Sequence, residues 1–211
     1  MHPQDQELAR KFDDMYAVSG ANPWTFRDPP QELLLLVDRL PRGRALDMGC
    51  GEGYNTLALA KAGFQATGAD VSPRAIALAN AHAREQGLAV AFLQKSWRDL
   101  PTMQGPFAFI MDWRFLQEII DPPDRARYVE LIRALLPPGG HYLSVAFSHR
   151  SPLFGTGRVR TADRGIRLCF APPEELDALF RGFRVLERKE IAVDEKGHEA
   201  SPAYWYLLQK P

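Results

Sequence analysis

Two aspartates bracket a glycine cluster: Asp47 precedes Gly49, Gly51 and Gly53, and Asp70 lies twenty-one residues beyond Gly49. Glycine lets a backbone turn approach a ligand more closely than a Cβ permits, and a carboxylate ending a strand can accept two hydrogen bonds from ribose hydroxyls. The spacing is GxGxG, because Tyr54 stands where a GxGxxG dinucleotide fingerprint requires its third glycine. The pyrophosphate of NAD is therefore not the implied ligand. Farther on, KSWRDLP supplies Ser96 as a polar contact and Trp97 as a flat apolar face suited to adenine. The combination describes an adenosyl pocket.

Such residues act together only if the chain brings several strand ends to one rim. Short apolar runs alternate with helical patterns: strands are expected over 44–48, 65–70, 90–94, 107–112 and 141–147. Helices are expected over 31–40, 54–62, 73–86, 125–136 and 172–180, with Ser72 before Pro73 as a strong helix start. Alternation of this kind predicts an α/β fold with a Rossmann-like, mostly parallel seven-stranded sheet and helices on both faces. The last two strands, 183–193 and 203–209, lack a helix between them and are expected to form an antiparallel hairpin at one edge. Residues 148–171 read as an irregular excursion after the fifth strand, either a solvated loop or a lid forming a substrate wall.

The chain has 211 residues, enough for one compact domain, and 45% of them are hydrophobic. It is read as an N-terminal arm and helix (1–43), a ligand-binding core (44–147), a substrate loop (148–171) and a C-terminal helix and hairpin (172–211). Lys plus Arg and Asp plus Glu number 26 each, so no basic excess favours nucleic acid. The opening lacks a signal-peptide pattern, and no stretch approaches the length of a membrane span. Cys50 and Cys169 show no CxxC spacing, which suits a reducing, cytoplasmic setting and gives no metal cluster. Oligomeric state leaves no mark in the sequence.

LDMGCGEG, GADVSP, the KSWRDLP region, FAFIMDWRFL and LLPPGG occur in that order. Together they resemble the motifs of class I S-adenosylmethionine-dependent methyltransferases. The resemblance implies S-adenosylmethionine as donor, with S-adenosylhomocysteine as product. It implies that Gly49, Cys50, Gly51 and Gly53 pack on the methionine part, with Asp47 supporting the amino group. It also implies Asp70 on the ribose, Val71, Ser96 and Trp97 around adenine, and Asp112 facing the methyl donor.

A narrower resemblance concerns the acceptor. Tyr16, then Pro23 and Trp24 before an apolar helix, and DWRFLQEIIDPPDRARYV after strand four, look like the thiopurine, thiol and tellurite methyltransferase branch. The chain departs from that branch in placing Trp113 where arginine often follows the aspartate, and Gln117 and Glu118 where histidines are frequent in some relatives. Tyr16, Trp24, Trp113, Glu118, His149, Phe154, Arg158 and Arg160 are the candidate acceptor contacts. Phe154 could form an apolar wall, and the two arginines could orient an anionic acceptor.

Each of these residues also has a structural reading. Asp47 and Asp70 could cap turns, Trp97 could be a packed rim residue, and Tyr16 and Trp24 could anchor the arm. Cys50 reads as a small packed residue, and Arg125 and Arg127 as solvated.

A sulfonium methyl is already activated, so such a site must align the acceptor and exclude water. No obvious general base stands out, which agrees with a soft thiol or chalcogen acceptor in a small molecule. The alternatives are an O- or N-methyltransferase, a nicotinamide oxidoreductase disfavoured by Tyr54, and a non-catalytic donor-binding sensor or assembly protein.

Overall fold

Parallel pairing requires a crossover between successive strands, and the chain supplies one each time. The computed structural model describes residues 2–211. Strands β1 (Arg44–Met48), β2 (Gln65–Asp70) and β3 (Ala91–Gln94) are joined through helices α3 (Tyr54–Lys61) and α4 (Pro73–Glu85). A 3-10 turn at Trp97–Thr102 leads to β4 (Phe109–Trp113), and α5 (Pro122–Leu135) leads to β5 (His141–Phe147). All five are parallel neighbours. After α6 (Pro173–Leu179), strands β8 (Arg184–Val193) and β9 (Ser201–Gln209) form the antiparallel hairpin, with β9 against β5.

The resulting order, β3-β2-β1-β4-β5-β9-β8, is the expected seven-stranded Rossmann-like sheet with its terminal hairpin at one edge. Order reverses between β1 and β4, so the carboxyl ends of these two strands flank the crevice where ligands bind in open α/β sheets. Buried side chains form a core on each side of the sheet. One gathers Leu33, Leu36, Leu143 and Trp205, and the other gathers Leu46, Ile110, Tyr128, Tyr142 and Phe180. Among the described residues, no helix is long and apolar enough to cross a membrane.

Helix α2 (Gln31–Val37) ends three residues short of its expected end and β4 starts two residues late, and three further elements differ from the sequence reading. The N-terminal segment begins with helix α1 (Pro3–Met15), whose Leu8, Phe12 and Met15 recur at helical spacing and pack into the first core. Helix α5 starts at Pro122, three residues before the expected start, because prolines are tolerated in a first turn whose amides have no partner. The excursion after β5 contains a small antiparallel pair, β6 (Val159–Thr161) and β7 (Arg167–Cys169). Its arginines obscure the strand pattern because they are structural.

Asp112 departs from its expected role. The penultimate residue of β4, it faces the second core, fully buried, and accepts hydrogen bonds from Tyr128 at 2.9 Å, Ser144 at 3.0 Å and Tyr142. Two of these partners lie on the neighbouring β5 and one on α5, so the carboxylate fastens α5 to the sheet. It does not line the ligand cavity described below.

Burial pushes Asp112 up to about 6 from an ordinary value of 3.8, even though the three hydroxyls favour its charged form. The folded chain therefore holds this proton more tightly than the unfolded chain. The associated stability is complete below the ordinary value and is lost as pH rises through the folded one. Asparagine can keep the tyrosine bonds on its carbonyl oxygen and donate its amide to Ser144. Thermal unfolding should show the wild type losing Tm relative to Asp112→Asn as pH rises from about 4 to about 7; parallel profiles would refute it.

Candidate functional site

The glycine turn is tied to the sheet before it reaches a ligand. Gly49 N and Cys50 N donate to Ala69 O at 2.8 and 3.1 Å, and Gly51 N donates to Asp70 Oδ2 at 2.9 Å. Asp70 Oδ1 accepts from Ser72 N at 2.9 Å, so each carboxylate oxygen keeps a lone pair for a further donor. Gly51 has φ +52°, and a Cβ there would lie 2.7 Å from the Tyr16 hydroxyl. A Cβ on Gly49, at φ +71°, would lie 2.7 Å from the Phe115 ring. Both glycines are required by sterics on two sides.

Above this turn lies a cavity of about 460 Å³, within the usual range for small-molecule sites. It brings together Gly49, Cys50, Gly51, Gly53, Asp70, Val71 and Trp97 from the candidate donor residues. It also brings together Tyr16, Trp24, Trp113, Glu118 and Phe154 from the candidate acceptor contacts. Cys50 is buried, and burial raises its thiol pKa further, so it packs against the turn without thiolate character.

The N-terminal arm forms the roof. Trp24 Nε1 donates to Tyr16 Oη at 2.8 Å, and the rings of Phe12 and Trp24 meet edge to face. Two aspartates of α1 fasten it to the rim: Asp13 accepts from Ser72 Oγ and Arg74, and Asp5 accepts from Ser96 Oγ at 2.7 Å and Arg98. Ser96 thus serves the arm and does not line the cavity, contrary to its expected adenine contact. The arm therefore joins the anchoring and pocket readings in one element.

At the end of β4 the chain turns sharply. Arg114 adopts φ +68°, a strained conformation for a residue bearing a Cβ. Its backbone N donates to Val145 O at 2.7 Å, and its guanidinium pairs with buried Glu195 and reaches Trp24 O at 3.2 Å. The turn throws Phe115 onto Gly49 and opens a 3-10 turn, Leu116–Glu118. Arg125, buried rather than solvated as its sequence suggested, holds that turn by donating to Leu116 O at 2.9 Å and Ile119 O at 3.2 Å.

Phe154, Ile166 and Leu168 supply the wall from the β6–β7 segment. The other candidates from this region are engaged elsewhere. Arg160 donates to the carbonyls of Ser151, Leu153, Gly157 and His149 and stacks on Phe170, while Arg158 pairs with Glu175 at 2.5 Å. His149 Nδ1 lies 2.7 Å from Tyr204 Oη. None of the three lines the cavity, nor does Asp47, whose Oδ2 accepts from Thr56 Oγ1 at 2.7 Å. Burial pushes Asp47 up to about 7 against that hydrogen bond, with Asp70 and Asp112 adding to the rise.

Sequence reasoning noted Arg114 only as an arginine displaced by one position, and assigned no role to it, Glu195 or Glu52. Glu52 is buried and accepts from Ser19 Oγ and Gly20 N, which ties the arm to the glycine turn. Its place inside GxGxG was the available signal. Glu195 had none, because its pairing with Arg114 spans 81 residues.

Comparison with known proteins identifies the class. Residues 45–140 match a methyltransferase domain family. The chain is 30% identical over 206 residues to a ubiquinone biosynthesis O-methyltransferase of Xanthomonas campestris pv. campestris, covering 86% of this chain and 84% of that one. A 1,6-didemethyltoxoflavin-N1-methyltransferase from Burkholderia thailandensis, solved with S-adenosylhomocysteine, shares the fold at TM-score 0.73 and 20% identity, over 100% of this chain and 91% of that one. TehB from Haemophilus influenzae shares it at TM-score 0.68 and 18% identity, over 95% of this chain and 66% of that one. The chain belongs to the class I S-adenosylmethionine-dependent methyltransferases. More particularly, it is a methyltransferase whose relatives act on small molecules.

The residues present fit the donor. The remaining lone pairs of Asp70 and the indole of Trp97 suit the ribose and adenine parts, and the backbone of the glycine turn borders the space left for the methionine part. Removing a carboxylate that accepts hydroxyl hydrogen bonds costs roughly 1–3 kcal/mol. Calorimetry of Asp70→Ala should therefore show S-adenosylhomocysteine affinity reduced by about tenfold or more. Unchanged affinity in a folded variant would remove Asp70 from the donor site.

Proposed function

We propose that this enzyme methylates a small, flat, largely apolar acceptor held between the N-terminal arm and the β6–β7 segment. The observation that carries the reading is the continuity of a single cavity from the glycine turn to an aromatic wall of Phe12, Trp24, Trp113 and Phe154. Rigid rings contribute large contact area with little ordering cost, so they suit a planar partner.

When bound, S-adenosylmethionine supplies a methyl group activated by its sulfonium sulfur. The chain's own contribution is position and dryness. Asp70 and Trp97 fix the adenosyl end, the Tyr16–Trp24 roof excludes water, and Trp113 and Phe154 hold the acceptor against the reacting centre. Asp47 and Asp112 support this arrangement from beneath the rim, through Thr56 and through the tyrosine pair.

Two acceptor chemistries remain within this reading. A thiol or chalcogen acceptor is supported by the resemblance at Tyr16, Trp24 and the segment after β4, together with the shared fold of TehB. A hydroxyl acceptor is supported by the O-methyltransferase relative and by the negative character of the cavity, where Asp70 and Glu118 disfavour an anionic nucleophile. The hydroxyl reading accounts for more of the geometry. The same proposal places the enzyme in the cytoplasm, where Cys50 and Cys169 stay reduced.

Trp24 touches the acceptor space and holds Tyr16 in place, so its loss removes contact area and admits water. With labelled donor and a panel of phenols, thiols and amines, Trp24→Ala should lower turnover of the preferred acceptor by about a hundredfold, the order expected when a reacting geometry loosens. Wild-type kinetics in Trp24→Ala would dissociate the arm from the acceptor pocket.

A further inference from the structure

Six carboxylates border the cavity, and five of them are accounted for. Asp70 is held by Gly51 and Ser72, Glu52 by Ser19 and Gly20, and Glu195 by Arg114. Asp28 and Asp194 are exposed. Glu118 is different: it is half-buried inside the cavity, and its carboxylate makes no hydrogen bond or ion pair among the described residues.

The surrounding structure is built to place this side chain. Arg114's left-handed backbone starts the turn, Gln117 Oε1 accepts from Phe147 N at 2.9 Å, and buried Arg125 clamps the carbonyls on either side. Its backbone is thus fixed while its carboxylate stays open to the cavity, within reach of a ligand group held there. Resting on the small-acceptor reading above, we propose that Glu118 is the catalytic residue that takes the proton from a neutral hydroxyl acceptor in this cavity.

The step balances without another reagent. A lone pair of the acceptor oxygen forms the new bond to the methyl carbon, and the electron pair of the carbon–sulfur bond returns to the donor sulfur. The hydroxyl proton passes to Glu118, which gives it to water once the products have left. A thiol already ionised needs no such group and meets repulsion from it, so the position selects O–H over S⁻.

Electrostatics favour the role. Burial pushes Glu118 well above the ordinary carboxylate range, the charges of Asp70 and Asp112 add to this, and Arg114 opposes it. The Tyr16 hydroxyl faces the same space from the arm. The result is a more proton-avid base than a surface glutamate, and a cationic donor in the cavity acts in the same direction as Arg114 to ionise it.

Glu118→Gln keeps the shape and removes the base. Labelled donor with phenol, 4-chlorophenol, 4-nitrophenol and thiophenol provides acceptors of graded acidity. The variant should lose about a hundredfold in rate with phenol, within the range ascribed to general bases, whereas 4-nitrophenol and thiophenol, which ionise readily and are then repelled by the carboxylate, should hold or gain rate. Its rate with phenol should follow the acceptor's own ionisation, without the plateau that the wild type reaches once its carboxylate is charged. Calorimetric affinity for S-adenosylhomocysteine should stay within a few-fold of wild type, on the scale where tenfold is 1.4 kcal/mol. Equal losses with all four acceptors, or none, would overturn the assignment.

A second measurement needs no turnover. With S-adenosylhomocysteine saturating, 4-nitrophenol bound to the wild type should absorb as the neutral phenol, and bound to Glu118→Gln should shift toward the yellow phenolate. The same form in both proteins, or no binding of the phenol, overturns the role of Glu118 while leaving the donor site intact. Failure of the wild type to bind S-adenosylhomocysteine would instead defeat the underlying site and this assignment with it.

Discussion

The Tyr16 hydroxyl occupies the space that a Cβ on Gly51 would need, and Trp24 holds it there through a 2.8 Å hydrogen bond. Through this contact the arm, the glycine turn and the acceptor wall become one object. The turn is fixed by β2, the arm is fixed by Asp5, Asp13 and Glu52, and the cavity is what remains between them. A cavity defined by two rigid surfaces can hold a reacting pair in line, which is most of what methyl transfer from an activated donor asks of a protein.

Charge is the second organising feature. Asp47, Asp70, Asp112 and Glu118 crowd the carboxyl ends of β1, β2 and β4, and burial raises the proton affinity of all four. Asp47 and Asp112 give their oxygens to hydroxyls of the fold, whereas Asp70 and Glu118 keep capacity toward the cavity. Such a field costs stability in the unliganded chain and favours a cationic ligand. The arginines expected to meet an anionic acceptor are engaged away from the wall. Arg158 is neutralised by Glu175, and Arg160 is spent on four carbonyls of its own segment.

The parallel core was legible because each strand is a short apolar run followed by a cap or glycine, local signals that burial does not override. Ser72 illustrates this, with its hydroxyl accepting from Ala75 N at 3.1 Å as its place before Pro73 suggested. The glycine turn, Asp70 and Trp97 were legible for the same reason. Long-range pairings were not: Ser96 meets Asp5 across 91 residues, and Arg114 meets Glu195 across 81. Asp112 shows a further limit, since a strand's alternation indicates that a side chain is buried but not which core receives it. Helix α1 was hidden by a polar majority around its Leu8, Phe12 and Met15 stripe.

The proposed sharing of one space by donor and acceptor beneath the arm is open to direct observation. A crystal structure with S-adenosylhomocysteine tests it most directly. Adenosine is expected beside Asp70, Val71 and Trp97, the homocysteine part along the glycine turn, and the sulfur directed toward Glu118, with Trp24 still bonded to Tyr16. Adenosine bound away from Asp70, or an arm displaced from the turn by the ligand, would contradict it.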